Sequence, residues 1–157
     1  MIVVADTTPL NYLILIGEIE LLPALYESVL IPLEVHRELQ KPKTPPLVRA
    51  WAANLPAWCE VRAVTSAPDA ALNELDAGER DAIQLALEAG VDTLLMDEIE
   101  GRREALRRHL HVTGTVAVLE KAAQRGWIDF RSTLLKLEQT NFRLSASVRD
   151  EFLRRNP

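Results

Sequence analysis

Short runs that are apolar at every position alternate along the chain with longer segments whose apolar residues recur every three or four places. Ile2-Val3-Val4-Ala5, Val29-Leu30-Ile31 and Leu94-Leu95-Met96, the last within a strand expected over Val91 to Met96, are runs of the first kind. They lack the polar alternation of a half-exposed strand and suit strands covered on both faces of a parallel sheet. His111-Val112-Thr113 predicts another short strand, and Glu60 to Val64 a less marked one. Segments of the second kind predict the helices. Asp6-Thr7-Thr8-Pro9 reads as a strand-to-helix turn with a threonine N-cap and Pro9 just inside, leading through Leu10, Leu13 and Ile14 to Gly17. Further helices are expected from Ile19 to Tyr26, from Pro32 through Glu38 and Leu39, and from about Leu47 to Ala53. Asp76-Ala77-Gly78-Glu79 has the capping-box pattern ahead of an Ala/Leu-rich helix closed by Gly90. The remaining helices are Glu98 to His109, Thr115 to Gly126, Phe130 to Gln139 and Ser145 to Arg154, while Pro68 to Asn73 reads as irregular. Strands alternating with helices predict an α/β sandwich around a mostly parallel sheet.

The length of 157 residues fits one domain, 1–157. The linker-like stretch Lys41 to Pro46, with its three prolines, is too short to divide it. An apolar content of 48% with mean hydropathy near zero is that of a soluble protein, and only 5% is aromatic, so the core falls to Leu, Val, Ile and Ala. No apolar stretch approaches the roughly 20 residues of a membrane span. The N-terminal apolar run has no basic segment before it and is broken by Asp6 and Pro9, unlike a secretory signal. Cys59 is the only cysteine, which excludes an internal disulfide and a cysteine-based zinc site, and the cytoplasm is the expected location.

A net charge of −5 opposes a protein that coats nucleic acid by bulk attraction. It does not oppose a local basic strip beside an acidic pocket. Arg102, Arg103, Arg107, Arg108, His109 and His111 form one basic cluster, and Arg143, Arg149, Arg154 and Arg155 another. A solvated helix face is the alternative reading of both.

Two strands run straight into an acid: Ile2 to Ala5 into Asp6, and the Val91 to Met96 run into Asp97. Open α/β sheets place ligands at the carboxyl ends of their strands. With Glu38 and Asp81, these make four acids that α/β geometry would bring together. Hard divalent cations take oxygen ligands, and clustered carboxylates repel one another unless a cation neutralises them. Each acid also has a structural alternative: Asp6 as a turn residue before Pro9, Glu38 paired with Lys41 or Arg37, Asp97 as an N-cap. Glu34 lies one turn from Glu38 on the same face. Glu79 and Asp81 compete, because residues two apart on a helix differ by about 200° in direction. Glu79 has a ready job in the capping box, so Asp81 is the preferred site residue and Glu79 the reserve.

The stretches Asp6-Thr7-Thr8-Pro9-Leu10, Val35-His36-Arg37-Glu38-Leu39, Asp81 to Ala86 and Leu94-Leu95-Met96-Asp97, in that order and spacing, resemble a PIN domain, the metal-dependent nuclease fold of VapC-type toxins. Gly78-Glu79, Gly101-Arg102 with Ala105, and Thr113-Gly114-Thr115 look more like a PIN-like branch known only as predicted nucleic-acid binding. The resemblance implies a three-layer α/β/α sandwich with Asp6, Glu38, Asp81 and Asp97 around one or two Mg²⁺ or Mn²⁺ ions. Thr8 matches the family's Ser/Thr that hydrogen-bonds within the acid cluster. The sequence departs from the pattern at Met96, where a Thr or Ser usually precedes the fourth acid, and so loses one supporting hydrogen bond.

Metals about 3.5–4 Å apart stabilise the attacking and leaving oxygens of an in-line phosphodiester displacement, and Arg102 or Arg103 is placed to hold a phosphate oxygen. The expected activity is a Mg²⁺-dependent endoribonuclease acting on single-stranded or structured RNA, leaving a 5′-phosphate if the family pattern holds. The resemblance further implies a toxin of a toxin–antitoxin pair, a homodimer and a small antitoxin protein. The alternatives are a PIN-like binding or regulatory module that has lost catalysis, favoured by Met96, and a metal-dependent phosphatase on small substrates. Other chemistries fit less well: the histidines are scattered, no G-x-S-x-G elbow is present, and no Gly-rich loop awaits a nucleotide.

Overall fold

In the computed structural model, which describes residues 1–67 and 69–157, strand β1 (Ile2–Ala5) lies at the middle of a five-stranded sheet. Its successive residues feed two separate cores: Val3 and Ala5 one, Val4 the other. Strand β2 (Ser28–Pro32) divides in the same way, with Val29 and Ile31 in the first core and Leu30 in the second. So does β4 (Thr93–Leu95), whose Leu95 and Leu94 go to opposite sides. The uninterrupted apolar runs are therefore period-two strands with both faces dry. With β3 (Cys59–Arg62) and β5 (His111–Thr113), the strand order is β3-β2-β1-β4-β5, and every pair is parallel.

The first core is covered by α1 (Thr7–Leu15), α2 (Leu21–Leu25), α4 (Pro46–Ala53), α7 (Thr115–Gln124) and α8 (Phe130–Glu138). The second is covered by α5 (Ala77–Ala89) and α6 (Ile99–Arg107). These make the three layers of an α/β/α sandwich. Helix α3 (Leu33–Leu39) follows β2 directly, buries Val35 and Leu39 in the first core and also packs on α5. No helix among the described residues is long and apolar enough to cross a membrane.

The structure differs from expectation mostly at element ends. Asp6, not a threonine, is the N-cap residue of α1, and Thr7 is already helical. The less marked strand is real but sits at Cys59–Arg62, set by its register against β2. Within the stretch read as irregular, Pro68 lies outside the described residues, and Ala70–Leu72 forms one 3₁₀ turn capped by the Asp69 carboxylate. The last helix, α9 (Ala146–Arg155), has no fully buried residue. Phe152 and Leu153 are half-buried against the first core, whereas Val148 stays exposed.

Leu94 is fully buried in the second core and Leu135 is half-exposed on α8. Leu94→Ala is expected to lower unfolding free energy by about 2–5 kcal/mol, and Leu135→Ala by no more than about 0.5 kcal/mol. Urea titration of both variants tests this, and similar midpoints for the two would contradict the assigned packing.

Candidate functional site

The chain leaves β1 toward one side of the sheet and β4 toward the other, so the carboxyl ends of these two neighbours form the crevice where doubly wound sheets place ligands. Asp6 and Asp97 follow these strands. The Asp6 amide donates to the Leu95 carbonyl at 2.9 Å, and the Met96 amide to the Thr113 carbonyl at 3.1 Å, so backbone pairing carries the sheet up to both acids.

Asp6 is buried at the head of α1 as its N-cap residue. It opens into a cleft of about 510 Å³ lined by six acids, Asp6, Glu34, Glu38, Asp76, Glu79 and Glu98, and by a single lysine, Lys41. The far wall is the first turn of α5. Gly78 lets that turn approach, since a Cβ there would stand 3.3 Å from the Asp6 carboxylate. The Asp76 side chain accepts the Glu79 amide at 2.8 Å, which fixes Glu79, only 8% exposed, facing the cleft.

Burial, above all, pushes the Asp6 carboxyl up to about 7; the Thr7 amide opposes this, and the charges of Asp76, Asp97 and Glu98 add to it. Burial also raises Glu79 well above the ordinary carboxylate range, followed by the Asp76 charge and a carboxyl–carboxyl hydrogen bond with Asp76. Both acids are thereby pushed toward holding a proton near neutrality, first by burial and then by the neighbouring negative charges.

The expected residues divide as follows. Asp6 is inside the cleft. Glu38 lies on its rim, paired with Lys41 at 2.8 Å, and Glu34 is paired there with Arg37. Asp81 is not in the cleft: it meets the neighbouring Arg80 at 3.1 Å, and Glu79 takes the place expected of it. The reason is angular. The bond from Asp76 aims residue 79 at the end of β1, and residue 81, about 200° further round, must face away.

Asp97 lines a second, larger cavity of about 820 Å³ that meets the first at Thr8 and Glu98, which border both. Its two carboxylate oxygens accept the Thr115 amide at 2.9 Å and the Thr115 hydroxyl at 2.6 Å. Asp97 thus caps the first turn of α7, a helix away from the one it immediately precedes. Burial raises its pKa, and Thr115 and Arg102 oppose that rise. Gly114 is required beneath it, since a Cβ there would lie 2.8 Å from Oδ1 of Asp97 and 3.0 Å from Nη1 of Arg102. Met96 is fully buried over Gly101 in the second core.

Arg102 lines the larger cavity beside Asp97, whereas Arg103 points outward and pairs with Glu100 at 3.2 Å. Thr8 stands between the two cavities, and among the described residues its hydroxyl makes no hydrogen bond to a carboxylate. Asp76, Glu98 and Thr115 were not predicted as site residues. Gly78 and Gly114, small residues next to helix starts, were the signals in the sequence that pointed to two of them.

Among the described residues no three His, Cys, Asp or Glu side chains are already closed around one point in the manner of a bound ion. The donor chemistry nevertheless fits a hard divalent cation: apart from Lys41 on the rim, the charged groups of the cleft are all carboxylates, and the two most buried of them are raised toward neutrality by burial and by their acidic neighbours.

A family model, DUF3368, described as a PIN domain, matches residues 2–156. No curated protein matches the chain. The chain belongs to the PIN-domain family, whose members are in general metal-dependent nucleases.

Asp6 keeps its proton to about pH 7 in the fold but releases it near 3.8, its ordinary value, when unfolded. The folded state therefore binds more protons between those values, and stability falls as pH rises through that window. In EDTA the melting temperature is expected to decline from about pH 5 to about pH 8, with Asp6→Asn flattening the decline and melting about 5 °C or more above the parent at the upper end. Millimolar Mn²⁺ should restore the parent. Scanning fluorimetry across this range checks it, and a profile that rises with pH in EDTA contradicts it.

Proposed function

We propose that this chain is a Mg²⁺- or Mn²⁺-dependent endoribonuclease that hydrolyses phosphodiester bonds of single-stranded or structured RNA at the β1–β4 crevice. The observation that carries the reading is the meeting of Asp6, Asp76, Glu79 and Glu98 in one cleft, with Asp97 on the adjoining wall. Asp6, Glu79 and Asp97 would hold the cation, with Glu38 completing the set from the rim. A bound divalent ion supplies positive charge that polarises water and the scissile phosphorus–oxygen bond.

The chain's own residues do the rest. Asp6 and Glu79 give up the protons they hold near neutrality when a cation enters. Thr115 keeps Asp97 fixed, so this acid needs no reorganisation on loading. Arg102, beside Asp97, binds a non-bridging phosphate oxygen. In the overall step a water oxygen bonds to phosphorus while the bond to the 3′-oxygen breaks, giving a 5′-phosphate and a 3′-hydroxyl. What supports a toxin role, with a homodimer and a small antitoxin, is the resemblance to VapC-type chains.

Asp6→Asn, Glu79→Gln and Asp97→Asn are each expected to slow cleavage of a labelled single-stranded RNA by roughly 100-fold or more, and EDTA to abolish it. Asp81→Asn, at a residue outside the cleft and paired with Arg80, should stay within roughly threefold of the parent in cleavage. If Asp81→Asn is as damaged as Glu79→Gln, or if EDTA leaves cleavage intact, the assignment of ligands is wrong.

A further inference from the structure

Among the described residues nine arginines are taken up in ion pairs. Arg107 and Arg108 pair with Glu104, Arg108 also with Asp69, Arg149 with Glu138, and Arg155 with Glu120. The two basic clusters of the sequence are thus largely neutralised. Arg102 and Arg143 make no ion pair among the described residues, and both line the 820 Å³ cavity next to the acidic cleft. They come from different clusters and distant parts of the chain, one on α6 and one in the loop between α8 and α9.

The wall that carries Arg143 is well tied down. The Thr140 hydroxyl donates to the Leu137 carbonyl at the end of α8 and accepts the Phe142 amide at 3.1 Å. Tyr12 donates its hydroxyl to Asn141 at 2.8 Å, and the rings of Tyr12 and Phe142 meet edge to face with centroids 4.9 Å apart. Both rings line the cavity. A fixed aromatic wall with a free arginine on the next residue offers a π-face to a base and a cation to its phosphate, which is the way single strands are gripped without sequence readout.

Building on the nuclease reading, we infer that this cavity is a strand-binding subsite, in which Phe142 stacks a base and Arg143 and Arg102 hold successive phosphates of a single-stranded nucleic acid. Arg102 takes the phosphate nearer the acids, and Arg143 the next one outward. Arg102 and Arg143 share the larger cavity with Asp97 and Glu98, so they hold the strand beside the acids, and its phosphate enters the acidic cleft only where a cation offsets the carboxylates. Access to the rings also selects against a duplex, whose bases are stacked on each other.

Binding is measured apart from cleavage, by fluorescence anisotropy of the Glu79→Gln protein in Mg²⁺, with labelled eight-nucleotide RNA, the same sequence as DNA, and an RNA duplex. Phe142→Ala is expected to weaken single-strand binding roughly 5- to 100-fold, and Phe142→Tyr to retain it. Arg143→Ala should weaken binding and make the dependence of log affinity on log salt shallower by about 0.7. Arg143 is exposed, so its variant should melt with the parent, and it remains informative if Phe142→Ala fails to fold. Tighter binding of RNA than of DNA would identify the strand as RNA; equal binding would still support the subsite. Single-strand affinity indifferent to residues 142 and 143, or a duplex bound as tightly as a single strand, overturns the subsite and leaves the groove to a peptide. Cleavage by the parent with binding indifferent to 142 and 143 would refute only this inference. Absence of cleavage with binding that depends on them would refute only the nuclease.

Discussion

A carboxyl group removed from water at the end of a central strand is costly when ionised. Asp6 is held in that position by the most regular part of the molecule, the pairing of β1 with β2 and β4. Asp76, Glu79 and Glu98 are then brought up against it by the start of α5 and the approach to α6. Folding of the sheet thus creates an electrostatic deficit at one point. The deficit is relieved by protons or, as proposed, by a cation, and the remaining features of the site are supports for side chains that repel one another.

How far the sequence revealed this depended on the distance over which each feature is determined. The strands were legible because burial on both faces leaves an unbroken apolar run, as in Ile2 to Ala5. Their terminal acids were legible because a strand end is a local event. The choice between Glu79 and Asp81 was not, since both occupy one helix start and only the direction in which Asp76 locks that helix against β1 separates them. The capping-box role that seemed to disqualify Glu79 is what aims it inward. The support for Asp97 was invisible for a similar reason: Thr115 lies eighteen residues on, across β5, and no local pattern joins the two. The edge strand β3 was blurred because only its pairing with β2 sets its ends.

The two cavities share a boundary at Thr8 and Glu98 but differ in material. One is lined by acids with a lone lysine, the other by aromatic and aliphatic side chains with Asp97, Glu98 and two arginines that make no ion pair among the described residues. They also rest on different supports. The acidic cleft is bounded by β1, α3 and α5, elements rooted in the two cores. The larger cavity takes its outer side from the 140–145 loop and α9.

Helix α9 buries none of its residues fully and is secured by Phe152 stacked near Phe130, by the ion pair of Arg149 with Glu138, and by Glu120 holding Arg155 and Asn156. Elements with so little dry contact open at a small fraction of the global unfolding cost. Local opening of α9 would widen the groove while the sheet and its acids stay intact. The hinge of variation therefore sits in α9: drift in its residues can reshape what the molecule admits without touching the machinery inside.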